Sequence, residues 1–303
     1  MDYREQIETY FMEVAYHAEA KQPGSIETAK THDSSESQID TRFHYIDTNA
    51  YRNGTKGIEK RIEDEIVAVV GVGGSGSYLV DVLAKTNVKE LHLFDADTME
   101  THNAFRVAGA ARIAELGGNT SKVAWHERRY REVRKEGLHV HCIELTDDTL
   151  SRLGSFTTVF IAVDDLPVRR KLQRACSSMG ILHLAVGIGL DIEGMGNDQL
   201  GGNVKVEINY LTRREDTYGS PQGEPRPEGE DIYRSNIQTA ELNMLSAALA
   251  IAEWKAVRQV YRSERAVDID TLIYSSTTGK ILGARKGASN GRPSESVGDG
   301  SHS

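Results

Sequence analysis

The chain has 303 residues, of which 36 are basic and 45 are acidic, so its formal net charge is −9 at pH 7. This length allows one large domain or two small ones, and the net charge argues against nucleic acid as a partner. No apolar run approaches the ~20 residues of a membrane span, and the N-terminus lacks the order of a signal peptide, so no membrane association is expected. The only cysteines, Cys142 and Cys176, are too few for a disulfide framework or a four-thiolate zinc site, which favours a cytoplasmic location.

The predicted elements begin with a helix at 1–22, where apolar residues recur at helical spacing. A polar linker and arm follow at 23–57. The main domain is predicted at 58–286. The tail at 287–303 is predicted to be disordered because it has almost no apolar residues to bury.

Short apolar strands and helices alternate through the main domain. The Val-rich strand EIVAVVGV is followed by the helical pattern SGSYLVDVLAKT, and further pairs of strand and helix come after it. The segment GNVKVEINYL instead alternates apolar and polar residues, which predicts an antiparallel strand with one solvent-facing side. The sequence therefore predicts an α/β fold with a doubly wound, mostly parallel Rossmann-like sheet, an antiparallel extension and a long C-terminal helix.

A glycine-rich turn joins the first strand of this domain to its helix. In VVGVGGSGSYL the glycines are Gly71, Gly73, Gly74 and Gly76. Glycines let the backbone approach phosphate oxygens closely, and the helix N-terminus adds free N–H groups. Asp95, 24 residues after Gly71, ends the second strand, where a carboxylate can bind ribose hydroxyls. The motif predicts a bound nucleotide but does not choose between NAD, FAD, S-adenosylmethionine and ATP.

Further polar residues distinguish the reaction types that such a site could support. After Asp95 the chain carries Asp97, Asn103, Arg106, Lys122 and, at the end of a later strand, Asp164. Hydride transfer needs no cluster of charges at the phosphates, whereas cleavage of ATP at its α-phosphorus does, because negative charge must be stabilised on both sides. One acid could then hold ribose and another Mg²⁺, while Arg106 and Lys122 face the phosphates.

The segments GVGGSGS, DADTMETHNAFR and AVDDLPVRRKLQRAC, together with Lys122, resemble the ThiF/MoeB and ubiquitin-activating-enzyme adenylyltransferase family over residues 60–285. The resemblance implies that the C-terminal glycine of a ubiquitin-like or sulfur-carrier protein attacks Mg²⁺-ATP to give an acyl adenylate. By matching position, Asp95 would bind ribose, and Asp97 would brace the site. The resemblance also implies that Asn103, Arg106 and Lys122 contact the phosphates and that Asp164 positions Mg²⁺.

The resemblance also implies partners. The segment FHYIDTNAYRNGTKG resembles the one before this domain in bacterial members found beside ubiquitin-like proteins, so a conjugating enzyme and, at the level of the family, a role in antiviral defence are expected. Members are usually homodimers. An N-terminal arginine often faces the ATP phosphates, and Arg52 is the first candidate and Arg42 the second.

The sequence departs from the family pattern in ways that concern later steps. Val107 follows Arg106 where Gln is common, and Asp165 replaces a common amide. The paired CxxC motifs that hold structural zinc in many members are absent, so zinc is not expected. The crossover loop at 212–232 contains no cysteine, and Cys142 and Cys176 are predicted to pack in the core. An enzyme that only adenylates, or that passes the acyl group directly to a partner's thiol, is therefore favoured.

Several alternatives stay open at this point. Other substrates for the same chemistry are a sulfur carrier, a small molecule or a tRNA carboxylate. A non-catalytic scaffold that binds a conjugating enzyme would not need Arg106, Lys122 and Asp164, and an NAD oxidoreductase would bind NADH rather than ATP. His139 and His141 lie on one side of a predicted strand with no third metal ligand apparent, and the charge run at 126–135 is predicted to be a solvated helix face.

Overall fold

The computed structural model describes residues 3–21, 42–45, 47–48, 50, 53–193, 198–209, 237–263 and 270–284. The chain divides into two compact units, residues 1–41 and residues 42–303. In the first unit the described residues form one helix, α1, at Tyr3–Lys21. The crossover loop at 212–232, the tail at 287–303 and most of the linker at 23–57 lie outside the described residues.

The second unit alternates strands and helices, as the sequence predicts. Its helices are α2 (Lys56–Glu59), α3 (Gly74–Ala84), α4 (Lys122–Tyr130), α5 (Leu166–Ser178) and α6 (Ala240–Val257). Its strands are β1 (Ile66–Val70), β2 (Glu90–Phe94), β3 (Leu138–His141), β4 (Thr158–Ile161), β5 (Leu182–Glu193), β6 (Gln199–Asn209), β7 (Thr271–Ser275) and β8 (Lys280–Ala284). Short 3-10 helices lie at Lys60–Ile62, Thr101–Phe105, Ile113–Glu115 and Asp147–Ser155.

The eight strands found in the described residues form one sheet in the order β3-β2-β1-β4-β5-β6-β7-β8. Neighbouring strands among β3, β2, β1, β4 and β5 pair in parallel. Neighbouring strands among β5, β6, β7 and β8 pair antiparallel. The predicted α/β class, the mostly parallel sheet and its antiparallel extension are confirmed. The strand order turns back between β1 and β4, so their carboxyl ends open a crevice where ligands bind in such sheets.

Both faces of the parallel half of the sheet are buried. Val67 and Val69 of β1 belong to a core with α3 and α6, whereas Ala68 and Val70 belong to a second core with α5. The small residues of α6 are buried within the domain, as Ala247 and Ala250 illustrate. Among the described residues, no helix is both long enough and apolar enough to cross a bilayer.

Two predictions about side chains are wrong, one for the residue after β3 and one for the charged residues in and after α4. Strand β3 ends at His141, so Cys142 falls beyond it and is exposed rather than packed in the core. The charge run at 126–135 is not uniformly solvated, because His126 and Arg134 are buried. Arg134 donates to the backbone oxygens of Thr86 and Val88 at 2.9 and 2.7 Å, which satisfies its guanidinium in the interior.

Candidate nucleotide site

The glycine turn closes tightly against two neighbouring strands. Gly71 has φ +84°, and its N–H donates to the oxygen of Phe94 at 2.8 Å. A Cβ atom at Gly71 would lie 2.7 Å from the carbonyl oxygen of Ala162, and one at Gly76 would collide with the carbonyl oxygen of Gly71. The positive φ and the close approach both require glycine at position 71, and the close approach requires it at position 76. The turn thus brings backbone, without side chains, to the crevice at the carboxyl edge of the sheet.

The N-terminus of α3 and the amine of Lys122 lie side by side. Gly73 is the N-cap residue of α3, and Gly74 is its first residue. A Cβ atom at Gly73 would lie 3.9 Å from Nζ of Lys122, which shows how closely the amine approaches the turn. Helix N-termini and ammonium groups both favour anions. This corner of the crevice is therefore suited to phosphate.

Asp95 ties the glycine turn to the loop that follows β2. Its Oδ2 accepts from the N–H of Val72 at 2.8 Å, and its Oδ1 accepts from the N–H of Asp97 at 2.9 Å. Burial raises the pKa of Asp95, whereas Lys122 and the two backbone donors act in the opposite direction. Each carboxylate oxygen has a further lone pair, so the predicted ribose contact is compatible with this arrangement.

Asp97 and Lys122 form an ion pair at the mouth of the crevice. Nζ of Lys122 lies 2.6 Å from Oδ2 of Asp97 and 4.0 Å from Oδ1 of Asp95. The side chain of Asp97 is 72% exposed, whereas that of Lys122 is 12% exposed, so the amine is held inside and the acid remains open to solvent. An adjoining cavity of about 180 Å³ is lined by Asp97, Thr98, Glu100, His102, Asn103 and Lys122.

Asn103 and Arg106 present polar atoms that no described residue engages. Oδ1 of Asn103 accepts from the N–H of Glu100 at 2.9 Å, which holds the 3-10 helix Thr101–Phe105 in place. Among the described residues, the buried atoms Nδ2 of Asn103 and Nε of Arg106 have no hydrogen-bond partner. Burial lowers the pKa of Arg106, and Asp164 opposes that shift. Buried donors without partners carry a free-energy cost that an anionic ligand could offset.

Asp164 and Asp165 follow β4 but differ in role. Asp164 is exposed and acts electrostatically on Arg106. Asp165 is the N-cap residue of α5, and its Oδ1 accepts from the N–H of Val168 at 2.8 Å. The acid that replaces the amide is thus a helix cap. Carboxylate oxygens are the ligands that Mg²⁺ prefers, so Asp164 is the residue of this pair that could hold Mg²⁺.

His126 is part of the site but was not identified from the sequence. It is fully buried on α4, and its Nε2 lies 3.0 Å from the backbone oxygen of Val72. Because a carbonyl oxygen only accepts, Nε2 carries the proton. Burial lowers the pKa of His126 to about 4, so the ring is neutral at pH 7. The peptide units flanking Val72 are therefore fixed by His126 from one side and by Asp95 from the other.

Helix α6 also contacts the glycine turn, through residues that the sequence did not single out. Oγ of Ser75 donates to Oδ1 of Asn243 at 2.8 Å, and Oγ of Ser246 donates to Oγ of Ser75 at 2.7 Å. Nδ2 of Asn243 donates to the backbone oxygen of Arg106 at 3.4 Å. These contacts link the start of α3 to Arg106. In the sequence, the polar residues Ser75 and Asn243, each among small residues of a predicted helix, were the signal that could have indicated this contact.

Of the two candidate arginines of the N-terminal arm, the described part of the chain includes only Arg42. Arg52 lies outside the described residues. Nη1 of Arg42 donates to Oδ1 of Asn87 at 3.2 Å. Asn87 precedes β2, at the opposite end of that strand from Asp95. The second candidate is therefore wrong for a contact within one chain.

Cys176 is not placed as a catalytic nucleophile. Cys176 is buried in α5, as predicted, and burial raises the pKa of its thiol to about 12. A thiol with this pKa has a negligible thiolate fraction at pH 7. Cys142 is exposed beyond the end of β3.

Comparison with known proteins identifies the family. The ThiF family model matches residues 48–208, just over half of the chain, including the glycine turn and Asp164. The chain belongs to the ThiF family. Ubiquitin-like modifier-activating enzyme 5 of Drosophila simulans is 29% identical to this ThiF-family protein over 136 residues, which cover 40% of this chain and 33% of the fly protein. The Xenopus laevis enzyme of the same name is 28% identical over 164 residues, which cover 47% of this chain and 40% of its own.

The matched segments thus span between a third and two fifths of these relatives' length. Solved structures share the fold of this ThiF-family chain. MccB of E. coli with ATP superimposes with a TM-score of 0.60 at 17% identity, over 77% of this chain and 67% of that one. PaaA superimposes with a TM-score of 0.58 at 16% identity, over 90% and 89%.

Proposed function

We propose that this ThiF-family protein uses Mg²⁺ and ATP to adenylate the C-terminal carboxylate of a ubiquitin-like protein. The observation that carries the proposal is the placement of Lys122 beside the glycine turn, with the buried donors of Asn103 and Arg106 close to the same crevice. A nucleotide that reacts at phosphorus needs fixed cations there. A scaffold does not, and an enzyme for hydride transfer needs a nicotinamide site instead.

In this reaction a carboxylate oxygen of the substrate attacks the α-phosphorus of ATP. A new carboxyl oxygen–phosphorus bond forms, the bond from the α-phosphorus to the bridging oxygen breaks, and pyrophosphate leaves with that electron pair. Lys122, Arg106 and the amide of Asn103 stabilise the charge that grows on the phosphates, and Asp95 orients the ribose. The glycine turn and the N-terminus of α3 bind phosphate oxygens.

Mg²⁺ would be held by Asp164, whose carboxylate is exposed after β4. The ion supplies neutralisation of phosphate charge when it is bound. Asp97 braces Lys122, because their 2.6 Å ion pair fixes the amine beside the turn. Arg52 remains the proposed contribution of the N-terminal arm.

The named relatives support a polypeptide substrate. The insect and amphibian relatives are named for activating a ubiquitin-like modifier, and MccB has been solved together with MccA. Because burial raises the pKa of Cys176 to about 12, direct transfer of the acyl group to the thiol of a conjugating enzyme is favoured over a thioester on Cys176. A homodimer is proposed from the family resemblance. A sulfur carrier, a small carboxylate or a scaffold role are the other outcomes of the test.

The test is ATP–pyrophosphate exchange with a ubiquitin-like protein encoded in the same gene neighbourhood. Exchange should require the intact C-terminal glycine and should fall by about 10²–10³-fold in Lys122→Ala and in Arg106→Ala, the usual effect of losing one charge-stabilising donor. Asp164→Ala should also lose exchange.

Matched controls are Lys85→Ala and Arg131→Ala, since both side chains form i,i+4 ion pairs on exposed helix faces away from the turn. They should exchange as the wild type does. Exchange that a small carboxylate supports by itself would mean that this carboxylate, and not a ubiquitin-like protein, is the substrate. ATP binding by calorimetry without exchange, for any carboxylate offered, would favour the scaffold.

A further inference from the structure

A second polar cluster lies on β2 and β3, away from the glycine turn. In the parallel register His92 faces His139, and Phe94 faces His141. Side chains two residues apart on a strand point to the same face, so Glu90 and His92 of β2 share one face with His139 and His141 of β3. The sequence showed the two histidines of β3 without a third ligand, because Glu90 and His92 are 47 or more residues away along the chain.

The ligand atoms of three of these residues converge. Nε2 of His92 lies 3.0 Å from Oε2 of Glu90, and Nε2 of His139 lies 3.9 Å from the same oxygen. One ligand atom from each of Glu90, His92 and His139 falls within 4.8 Å of the others. Zinc bonds to nitrogen and oxygen of ~2.0–2.2 Å in a tetrahedron place ligand atoms roughly 3.3–3.5 Å apart. The observed separations bracket that value.

A fourth residue fixes the orientation of the central histidine. Nδ1 of His92 lies 3.0 Å from Nε2 of His141. Without an ion, Nε2 of His92 donates to the carboxylate of Glu90. With an ion bound, His92 would carry its proton on Nδ1 and donate it to His141, which leaves the lone pair of Nε2 for the metal. Metal-binding histidines usually have their other ring nitrogen engaged in this way.

The surroundings combine an apolar wall with an open side. Phe94 stacks on His141 at 4.3 Å between ring centroids, and Phe156 meets His92 edge-on at 4.9 Å. The side chains of His92, Glu90 and His139 are 16%, 33% and 47% exposed. Exposure therefore increases toward the edge strand β3, from which an ion and a water ligand could enter.

The carboxylate of Glu90 favours a cation at this cluster, whereas basic side chains nearby oppose one. His92 hydrogen-bonds Glu90 and holds the pKa of that carboxyl below its usual range, whereas burial lowers the pKa of His92 and of His141. Lys89 lies near Glu90 and Arg152 lies near His141, and each adds positive charge.

We infer that Glu90, His92 and His139 form a Zn²⁺ site that ties the edge strand β3 to β2. Two imidazoles and one carboxylate suit Zn²⁺, whereas Mg²⁺ prefers oxygen ligands alone. The site differs from the structural zinc that paired CxxC motifs provide, which the sequence lacks. It is also distinct from the nucleotide site, because His92 precedes Asp95 by three residues, roughly 10 Å along a strand.

The experiment is Zn²⁺ titration of the full chain, with any affinity tag removed, followed by calorimetry and by bound-metal analysis after desalting. One Zn²⁺ per chain is expected, and its affinity should fall at least tenfold in His139→Gln, in His92→Gln and in Glu90→Gln. His139→Gln is the decisive variant because about half of that side chain is exposed and its loss leaves the core intact. Co²⁺ in place of Zn²⁺ should give visible absorption bands that the same variants abolish.

Two controls separate this site from others that could take up metal. His17→Gln changes an exposed histidine of α1, and Asp164→Asn changes the proposed Mg²⁺ residue, so neither should alter the Zn²⁺ stoichiometry or affinity. Zn²⁺ at about 100 times its dissociation constant should raise the thermal midpoint of the wild type by roughly 5 °C. His139→Gln should show no such rise. Absence of bound Zn²⁺ in the wild type, or equal binding by His139→Gln, would overturn the inference.

Discussion

The acids at the two ends of β1 and its neighbours differ in how much water reaches them. Glu65, immediately before β1, is 8% exposed, and its Oε2 accepts from Thr157, Thr158 and Arg258 at 2.7, 2.7 and 2.9 Å. At the carboxyl edge, Asp97 is 72% exposed in its side chain and Asp164 is exposed. One end holds a carboxylate closed within the protein, and the other end holds carboxylates open to a crevice.

This difference separates stability from function on the same strands. The carboxylate of Glu65 is satisfied within the fold, so its contacts connect β1, β4 and the end of α6. Among the described residues, Nε of Arg258 lacks a partner at this end, although its Nη2 donates to Glu65, and the carboxyl edge leaves Nδ2 of Asn103 and Nε of Arg106 without partners. Functional sites are where such local costs are usually found. Substitutions at the Glu65 end should therefore lower stability and spare exchange activity. Substitutions at the carboxyl edge should lower exchange activity and spare stability.

Glu65→Ala should have the largest effect on stability. It leaves Arg258 without its carboxylate, and removing one member of a buried pair costs ~3–5 kcal/mol. We expect about 3 kcal/mol of lost unfolding free energy, at the lower end because the side chain of Arg258 is 22% exposed. Urea unfolding followed by circular dichroism measures it.

ATP–pyrophosphate exchange per folded molecule should remain within about twofold of the wild type in Glu65→Ala, in contrast to Arg106→Ala. Arg106→Ala should change the unfolding free energy by less than about 1 kcal/mol, because the variant removes a buried donor that lacks a partner. Equal loss of stability in both variants would contradict the division between the two ends.

His126 should make stability pH-dependent, with an effect of similar size. Its pKa is about 4 in the folded chain and about 6.5 when unfolded. Between these values the unfolded chain binds a proton that the folded chain does not, so stability is full above pH 6.5 and is lost as pH falls toward 4. The loss is about 1.4 kcal/mol per pH unit and about 3 kcal/mol in all.

His126→Gln is the variant that isolates this effect, because the Gln amide can still donate to the oxygen of Val72 but does not titrate. Urea unfolding between pH 4.5 and 7.5 should show the stability of the wild type falling more steeply than that of the variant. Parallel curves for the two proteins would mean that His126 is not the group responsible.

The sequence predicted the features that depend on local pattern. Val-rich strands, the glycine spacing and the distance from Gly71 to Asp95 are local, and the sheet and the turn follow from them. Asp165 could also have been predicted as a cap, since an Asp before Leu-Pro is a helix-start signal. Arg42 shows the limit, because its position away from the site of its own chain depends on how the arm packs beside Asn87.

The features that sequence reasoning missed depend on packing between distant segments. His126 lies in a run of charged residues and is buried only because α4 packs against the turn at Val72. Glu90 and His92 meet His139 through the parallel register of β2 and β3, which no local pattern specifies. The exposure of Cys142 follows from the short edge strand β3, whose end the apolar pattern does not mark.

Cys176→Ala should have the smallest effect, and it tests whether chemistry at the open edge ends with the adenylate. Because burial raises the pKa of Cys176 to about 12, its thiolate is too scarce at pH 8 to take an acyl group. Exchange should therefore be unchanged within about twofold, while the lost core contacts lower stability by about 1 kcal/mol. Non-reducing gels should show no thiol-sensitive adduct of the ubiquitin-like protein in the wild type, in Cys176→Ala or in the exposed-cysteine control Cys142→Ala. An adduct that disappears only in Cys176→Ala would require α5 to open during turnover, and one that disappears only in Cys142→Ala would place the thioester on the exposed thiol. Either result would mean that direct transfer to a partner is wrong.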